Sequence, residues 1–157
     1  FMSVEGLVTE WSNAGTLSLA DDQVKQLLAE AGLTVAEPGG PAVELRIALQ
    51  QDIIFGSIVA FSFGRMAMEV WSDVAYRIVP LTEKDARLMI QETQASDTLL
   101  HGYHSLPAPD RQSIQRIILR LSELAEGNPQ IAEIELDPVY ALADRVVIGS
   151  ARIQLSS

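Results

Sequence analysis

Val43-Glu44-Leu45-Arg46-Ile47-Ala48-Leu49, then Asp52-Ile53-Ile54-Phe55-Gly56, then Ser57-Ile58-Val59-Ala60-Phe61-Ser62-Phe63 is the stretch that decides the fold. The first run alternates apolar and polar residues, the period of a strand with one buried face. Asp52 and Gly56 bracket a turn. The second run is β-branched and aromatic, which predicts a second strand buried on both faces. Gly64-Arg65 breaks it. Met68–Val70 is expected as a third short strand, and Ala75–Val79 as extended chain that ends at Pro80.

Outward from this hairpin, helices alternate with turn signals. Thr82 with Asp85 is a capping box, and Ala86, Met89, Ile90 and Thr93 carry a helical face to about Gln94. Asp110 caps a longer helix with Ile114, Ile117, Ile118, Leu121 and Leu124 on one face, stopped by Gly127-Asn128-Pro129. Ile131–Leu136 and Val146–Leu155 read as strands around an Asp137-Pro138 turn. Strands clustered around two helices predict an α+β fold, with an antiparallel or mixed sheet and helices on one face. Upstream, residues 2–17 show little pattern. Ser18 caps a helix expected over Leu19–Ala31, with Gly32 as its stop. Pro38-Gly39-Gly40-Pro41 is the strongest breaker. It divides the chain into an N-terminal segment of residues 1–40, with one amphipathic helix, and a main domain of residues 41–157.

Composition narrows the function. Hydrophobic residues are 48% of the 157, enough for a true core. The net charge of -10 repels a phosphate backbone, so nucleic acid is not expected as a partner. A single nucleotide is still compatible, because backbone N–H groups and a metal can hold it locally. No apolar run reaches membrane-span length, and no basic-then-apolar leader opens the chain. With no cysteine, there is neither disulfide nor thiol chemistry, which fits the cytoplasm.

Several segments, in order and at matching spacings, resemble the second half of the ATP-grasp domain of nucleoside-diphosphate-forming acyl-CoA synthetases. This is the group of the succinyl-CoA synthetase β-subunit and the ADP-forming acetyl-CoA synthetases. Asp52-Ile53-Ile54-Phe55-Gly56 resembles its Asp-x-x-Phe-Gly turn. Phe61–Glu69 with Asp73 resembles its Gly-Gly-x-x-x-Glu loop and following Asp. Leu100–His104 and Pro107–Asp110 resemble its Gly-Tyr-Arg-Gly loop and Pro-Asp exit. Ala132–Val139 resembles its Glu-Leu-Asp-Ile-Asn-Pro-Leu strand, and Ser150-Ala151-Arg152-Ile153 its closing Asp-Ala-Arg-Ile strand.

The resemblance implies a C-terminal ATP-grasp subdomain that handles ATP and Mg²⁺ beside a CoA-binding domain or subunit, with oligomer formation possible. Gly64, Arg65 and Glu69 are the implied nucleotide-binding residues. Asp137 and Glu135 are the implied metal ligands, Glu135 sharing a strand face with Asp137. The departures lie at the same places. Arg65 replaces a glycine, so it either holds a phosphate, blocks the site or is a surface arginine. Asp137 replaces a metal-binding asparagine, and Asp137-Pro138 alternatively just starts a turn. Ser150 replaces a metal-binding aspartate and His104 an arginine. Glu69 and Asp73 also read as solvated polar-face residues. A metal site on His101 and His104 lacks a third ligand. Residues 36–42 alone join Val35 to Val43, where the family carries a long segment with a phosphate-holding lysine. That reads either as a deletion or as a segment missing at the Pro38–Pro41 junction. The two functional readings are therefore the ATP-grasp component of an ADP-forming acyl-CoA synthetase, or a catalytically degenerate relative with an assembly or regulatory role.

Overall fold

A computed structural model of the chain describes residues 3–64, 73–102 and 106–157. The Val43 hairpin is its centre. Strand β1 (Val43–Asp52) turns at Asp52, whose Oδ1 accepts the N–H groups of Ile54 (2.7 Å) and Phe55 (3.0 Å). Gly56 completes the turn with φ +80°, a conformation that glycine adopts without penalty. Strand β2 (Gly56–Ser62) then runs back in a register from Asp52↔Gly56 to Arg46↔Ser62. Strand β3 (Val74–Ile78) pairs with β2 on its outer side. The expected strand at Met68–Val70 falls outside the described residues.

On the other side of β1 lies β4 (Ile131–Ala141), and beyond it β5 (Val146–Ile148) and β6 (Ala151–Leu155), both paired to β4. Every pairing between these strands is antiparallel, and the order is β3-β2-β1-β4-β5, with β6 also on β4. Asp137-Pro138 does not end β4 as a turn. The strand continues through it with a cis peptide bond, and the turn comes after Ala141.

Alternation puts Leu45, Ile47, Leu49, Val59, Phe61, Ile134, Leu136 and Ile153 on one face, where they are buried. Helix α5 (Arg111–Gly127) covers that face over β1, β2 and β4 with Ile114, Ile118, Leu121 and Leu124. Helix α3 (Glu83–Gln91) lies over β2 and β3 and is followed by the short α4 (Ser96–Leu99). The caps of α3 and α5 are those expected. Thr82 Oγ1 accepts from Asp85 N at 3.1 Å and Asp85 Oδ2 from Thr82 N at 2.9 Å; Asp110 Oδ2 accepts from Ser113 Oγ at 2.7 Å.

The N-terminal segment joins the same core. Residues 2–17, patternless as read from the sequence, form helix α1 (Val4–Asn13), capped by Ser3 and burying Val4, Leu7 and Val8. Helix α2 spans Asp21–Glu30, and Ser18 does not cap it; Ser18 bridges to Gln154, while Gln23 Oε1 accepts the Ala20 N–H at 2.8 Å. Leu155 N bonds Leu17 O, Leu19 N bonds Ile153 O, and Ala36 N bonds Ile148 O, so this segment covers the β5–β6 edge. No helix among the described residues is long and apolar enough to cross a membrane.

Asp73, read from the sequence as a solvated carboxylate, is buried. Its Oδ1 accepts the Gln94 N–H (2.8 Å) and its Oδ2 the Ala95 N–H (3.0 Å), which fixes the chain between α3 and α4 to the start of β3. Asp73→Ala strands two amides and is expected to cost about 2 kcal/mol in a urea titration, while Asp73→Asn recovers part of it.

Two carboxylates near α3 give the fold an acid limb. The Arg77 guanidinium, hydrogen-bonded to Glu92 at 2.7 and 2.8 Å, holds that carboxyl below its usual range; the Thr82 backbone N–H and then its hydroxyl do the same for Asp85. Both groups bind protons more weakly folded than unfolded. Their stabilisation is therefore complete above the ordinary carboxylate value and is lost as pH falls below about 4. Amide exchange in α3 is expected to accelerate there before exchange in α5.

Candidate functional site

The site implied by the sequence centres on the sheet face that carries no helix among the described residues. On β4, Ile134 and Leu136 point into the core, and so do Val139 and Ala141. The parity changes at Asp137-Pro138. Leu45 lies opposite Val139 while Ile47 lies opposite Leu136, so two steps on β1 match three on β4. This is a β-bulge, a device that re-aims side chains without ending a strand. On its other side, Asp137 N donates to Ser150 O (3.0 Å) and Gly149 N to Pro138 O (2.9 Å). Gly149 has no room for a side chain, since a Cβ there would lie 2.5 Å from the Tyr140 ring. Glu135 and Asp137 thus follow one another along the open face, the second at the bulge.

Glu135 is not alone there. Its Oε2 accepts from Arg46 Nη2 of β1 (3.3 Å) and from Arg152 Nη2 of β6 (3.1 Å); Arg152 Nη2 also reaches Glu133 Oε1 (2.7 Å). The ladder Arg46–Glu135–Arg152–Glu133 crosses three strands. The Arg46 and Glu135 side chains are 15% and 20% exposed, so that pair is shielded more than most surface ion pairs. The hydrogen bond to Glu133, and then the charges of Glu135 and Glu133, push the Arg152 guanidinium further up. Sequence reasoning missed this ladder, because only the strand register brings Arg46 beside Glu135.

Of the implied nucleotide residues, Gly64 is described and Arg65 and Glu69 lie outside the described residues. Gly64 follows β2 with φ +73°, and a Cβ on it would sit 3.6 Å from Glu44 O. Glu44 is paired in turn with Tyr140, just past the bulge. Gly64 and Asp137 therefore stand at the same end of the sheet with β1 between them, on the order of 10 Å apart by strand spacing. His104 lies outside the described residues too. His101 is exposed, with Arg111 Nη2 3.4 Å from its Nδ1.

The donor set suits a magnesium ion that arrives on phosphate oxygens. Among the described residues there is no cluster of three or more histidine, cysteine or carboxylate side chains. Mg²⁺ needs only one or two carboxylates beside phosphate and water. Asp137 is a carboxylate at the bulge, and the exposed Ser150, just before β6, accepts its backbone N–H. Glu135 is committed to two guanidiniums and can turn to a cation only by releasing them.

Three comparisons place the chain among known proteins. A family model described as an ATP-grasp domain matches residues 22–155. The beta subunit of ADP-forming acetate–CoA ligase II from Pyrococcus furiosus is 35% identical over 127 residues, covering 79% of this chain and 53% of that protein. The chain spans between 16% and 53% of the length of the first curated relatives it matches. Among solved structures, the apo form of the dinucleotide forming acetyl-coenzyme A synthetase 1 of Ca. Korarchaeum cryptofilum superposes with a TM-score of 0.90 at 25% identity, over 98% of this chain and all of that one. The same enzyme in complex with coenzyme A and Mg-AMPPCP gives a TM-score of 0.85, with the same identity and coverage.

Proposed function

The chain belongs to the ATP-grasp domain family, and from that footing we propose that it is the ATP-grasp component of an ADP-forming acyl-CoA synthetase. The reaction is carboxylate, CoA and ATP to acyl-CoA, ADP and phosphate. The observation that carries this reading is the placement of the Gly64 turn and the Asp137 bulge at the same end of the sheet, on either side of β1. One offers backbone that a phosphate can approach, the other a carboxylate on a residue that alternation places on the open face. The solved relative with Mg-AMPPCP supports ATP and Mg²⁺ as the ligands.

In this reading each residue has a task. Gly64 leaves room for phosphate oxygens, and Arg65 and Glu69 follow it as further nucleotide contacts. Asp137 holds the metal, with Ser150 beside it. A magnesium ion held there would offset charge on the phosphates during transfer. Arg46 and Arg152 keep Glu135 extended next to Asp137, where it is the second carboxylate for the metal once they release it. A CoA-binding domain or subunit completes the reaction, which belongs in the cytoplasm.

One observation favours the alternative, a degenerate subunit with an assembly or regulatory role. Residues 36–42 are the whole connection between Val35 and Val43, and Pro38 O is held there by Arg145 Nη2 at 3.0 Å. Read as a deletion rather than as a segment missing at Pro38–Pro41, that connection carries no lysine. The test is to mix the chain with a CoA-binding component and measure ATP formed from acyl-CoA, ADP and phosphate. The catalytic reading expects turnover that Asp137→Ala abolishes. A stable complex with no turnover would move the conclusion to the assembly role.

A further inference from the structure

We propose that Arg46 is a two-position switch, held by Glu135 at rest and by the Ser62 hydroxyl once Glu135 turns to a metal ion. Arg46 and Ser62 are in that case positioning residues, acting through Glu135. This rests on the reading of Glu135 as the second carboxylate for magnesium. A shielded guanidinium that Glu135 leaves behind needs another acceptor, because a charge held away from water without a partner is costly.

The sheet puts Arg46 between the two acceptors. Leu45 and Ile47 point into the core, so alternation places Arg46 on the open face, across from the two residues of the Asp137-Pro138 bulge. Glu135 shares that face of β4, opposite Ala48, the next open-face residue of β1. On the other side, Ser62 of β2 stands directly opposite Arg46. Residues so opposed have Cβ atoms about 5 Å apart, well inside the reach of an arginine. The bond to Glu135 is the one hydrogen bond of Arg46 among the described residues, and at 3.3 Å it is long for a charged pair. Most N–H groups of this guanidinium are therefore unspent, although the side chain is only 15% exposed.

Ser62 is the acceptor in waiting. It is 0% exposed, and its Oγ is the one buried side-chain polar atom among the described residues with no hydrogen-bond partner. A hydroxyl left in that state is destabilising and calls for an explanation; accepting an N–H from Arg46 removes the penalty. The two states then balance. At rest Glu135 holds Arg46 and the Ser62 hydroxyl is unused. With metal, Ser62 holds Arg46 and Glu135 is free to ligate. Arg152 needs no such substitute when Glu135 leaves it. Its side chain is 58% exposed to water, and Glu133 Oε1 still accepts from its Nη2 at 2.7 Å.

The experiment is calorimetric titration of the full chain with Mg-ADP over a double-mutant cycle. Ser62→Ala should weaken binding about tenfold, because the released guanidinium loses its acceptor. Arg46→Met should tighten binding, since Glu135 then has one competitor fewer, and Ser62→Ala should change nothing in that background. If the Arg46 variant misfolds by circular dichroism, solvent exchange of the Arg46 side-chain N–H groups, followed by NMR, serves instead. At saturation with Mg-ADP that exchange should stay slow in the wild type and become fast in Ser62→Ala. A Ser62→Ala chain that binds like the wild type, or that loses the same affinity with and without Arg46, would overturn the switch and leave the metal site standing. Wild-type chain that binds no Mg-ADP would remove both.

Discussion

Phe61→Ala should lower the unfolding free energy by about 4 kcal/mol, a third or more of what a domain of this size usually holds. Phe61 is fully buried in β2, between Ile47 of β1 and Ala75 of β3, and its ring meets that of Phe63 edge-on at 5.2 Å. Truncation removes apolar area and leaves a cavity that paired strands on both sides cannot close. It also removes an aromatic contact of the favourable T-shaped kind. Urea denaturation followed by circular dichroism measures the change, with Leu88→Ala, at a 38% exposed position, expected within about 0.5 kcal/mol of the wild type. A loss under about 1 kcal/mol would mean that the sheet repacks around β2, against the close packing described above.

Asp137→Ala should weaken binding of a magnesium nucleotide on the order of 100-fold or more, since losing even an outer-shell partner of a metal costs 10–100-fold. The substitution removes the carboxylate at the bulge but keeps the backbone bond from residue 137 to Ser150 O, so the fold should persist. Asp137→Asn keeps an oxygen at the same place and should retain most of the affinity. If alanine and asparagine bind equally well, Asp137 is not a metal ligand, and its role is confined to shaping the bulge.

The sheet was legible because its code is local. Alternation over Val43–Leu49 and the Asp52–Gly56 turn define a hairpin whatever surrounds them, and the caps at Thr82 and Asp110 use side chains three residues away. Helix α1 is a weaker local signal: Val4, Leu7, Val8 and Trp11 stand at helical spacing after Ser3, but over only 10 residues. Ser18 misled because its group of residues is recruited by β6, a partner far away in the chain. Asp137-Pro138 read as a turn because that pair usually is one, and only pairing on both sides holds it within a strand. Asp73 looked like a solvated acid because its two amide partners are contributed from beyond α3. The ladder on Glu135 depends on register across three strands, information that no local window contains. Recognition of the family came instead from the order and spacing of whole motifs, which survives changes at Arg65, His104, Asp137 and Ser150.

The most direct test of the central claim is calorimetric titration of the intact chain with Mg-ADP and with ADP alone in EDTA. The account predicts saturable one-site binding that needs magnesium, is lost in Asp137→Ala and is retained in Asp137→Asn. Absence of binding by the folded wild-type chain, or binding indifferent to both magnesium and Asp137, would contradict it.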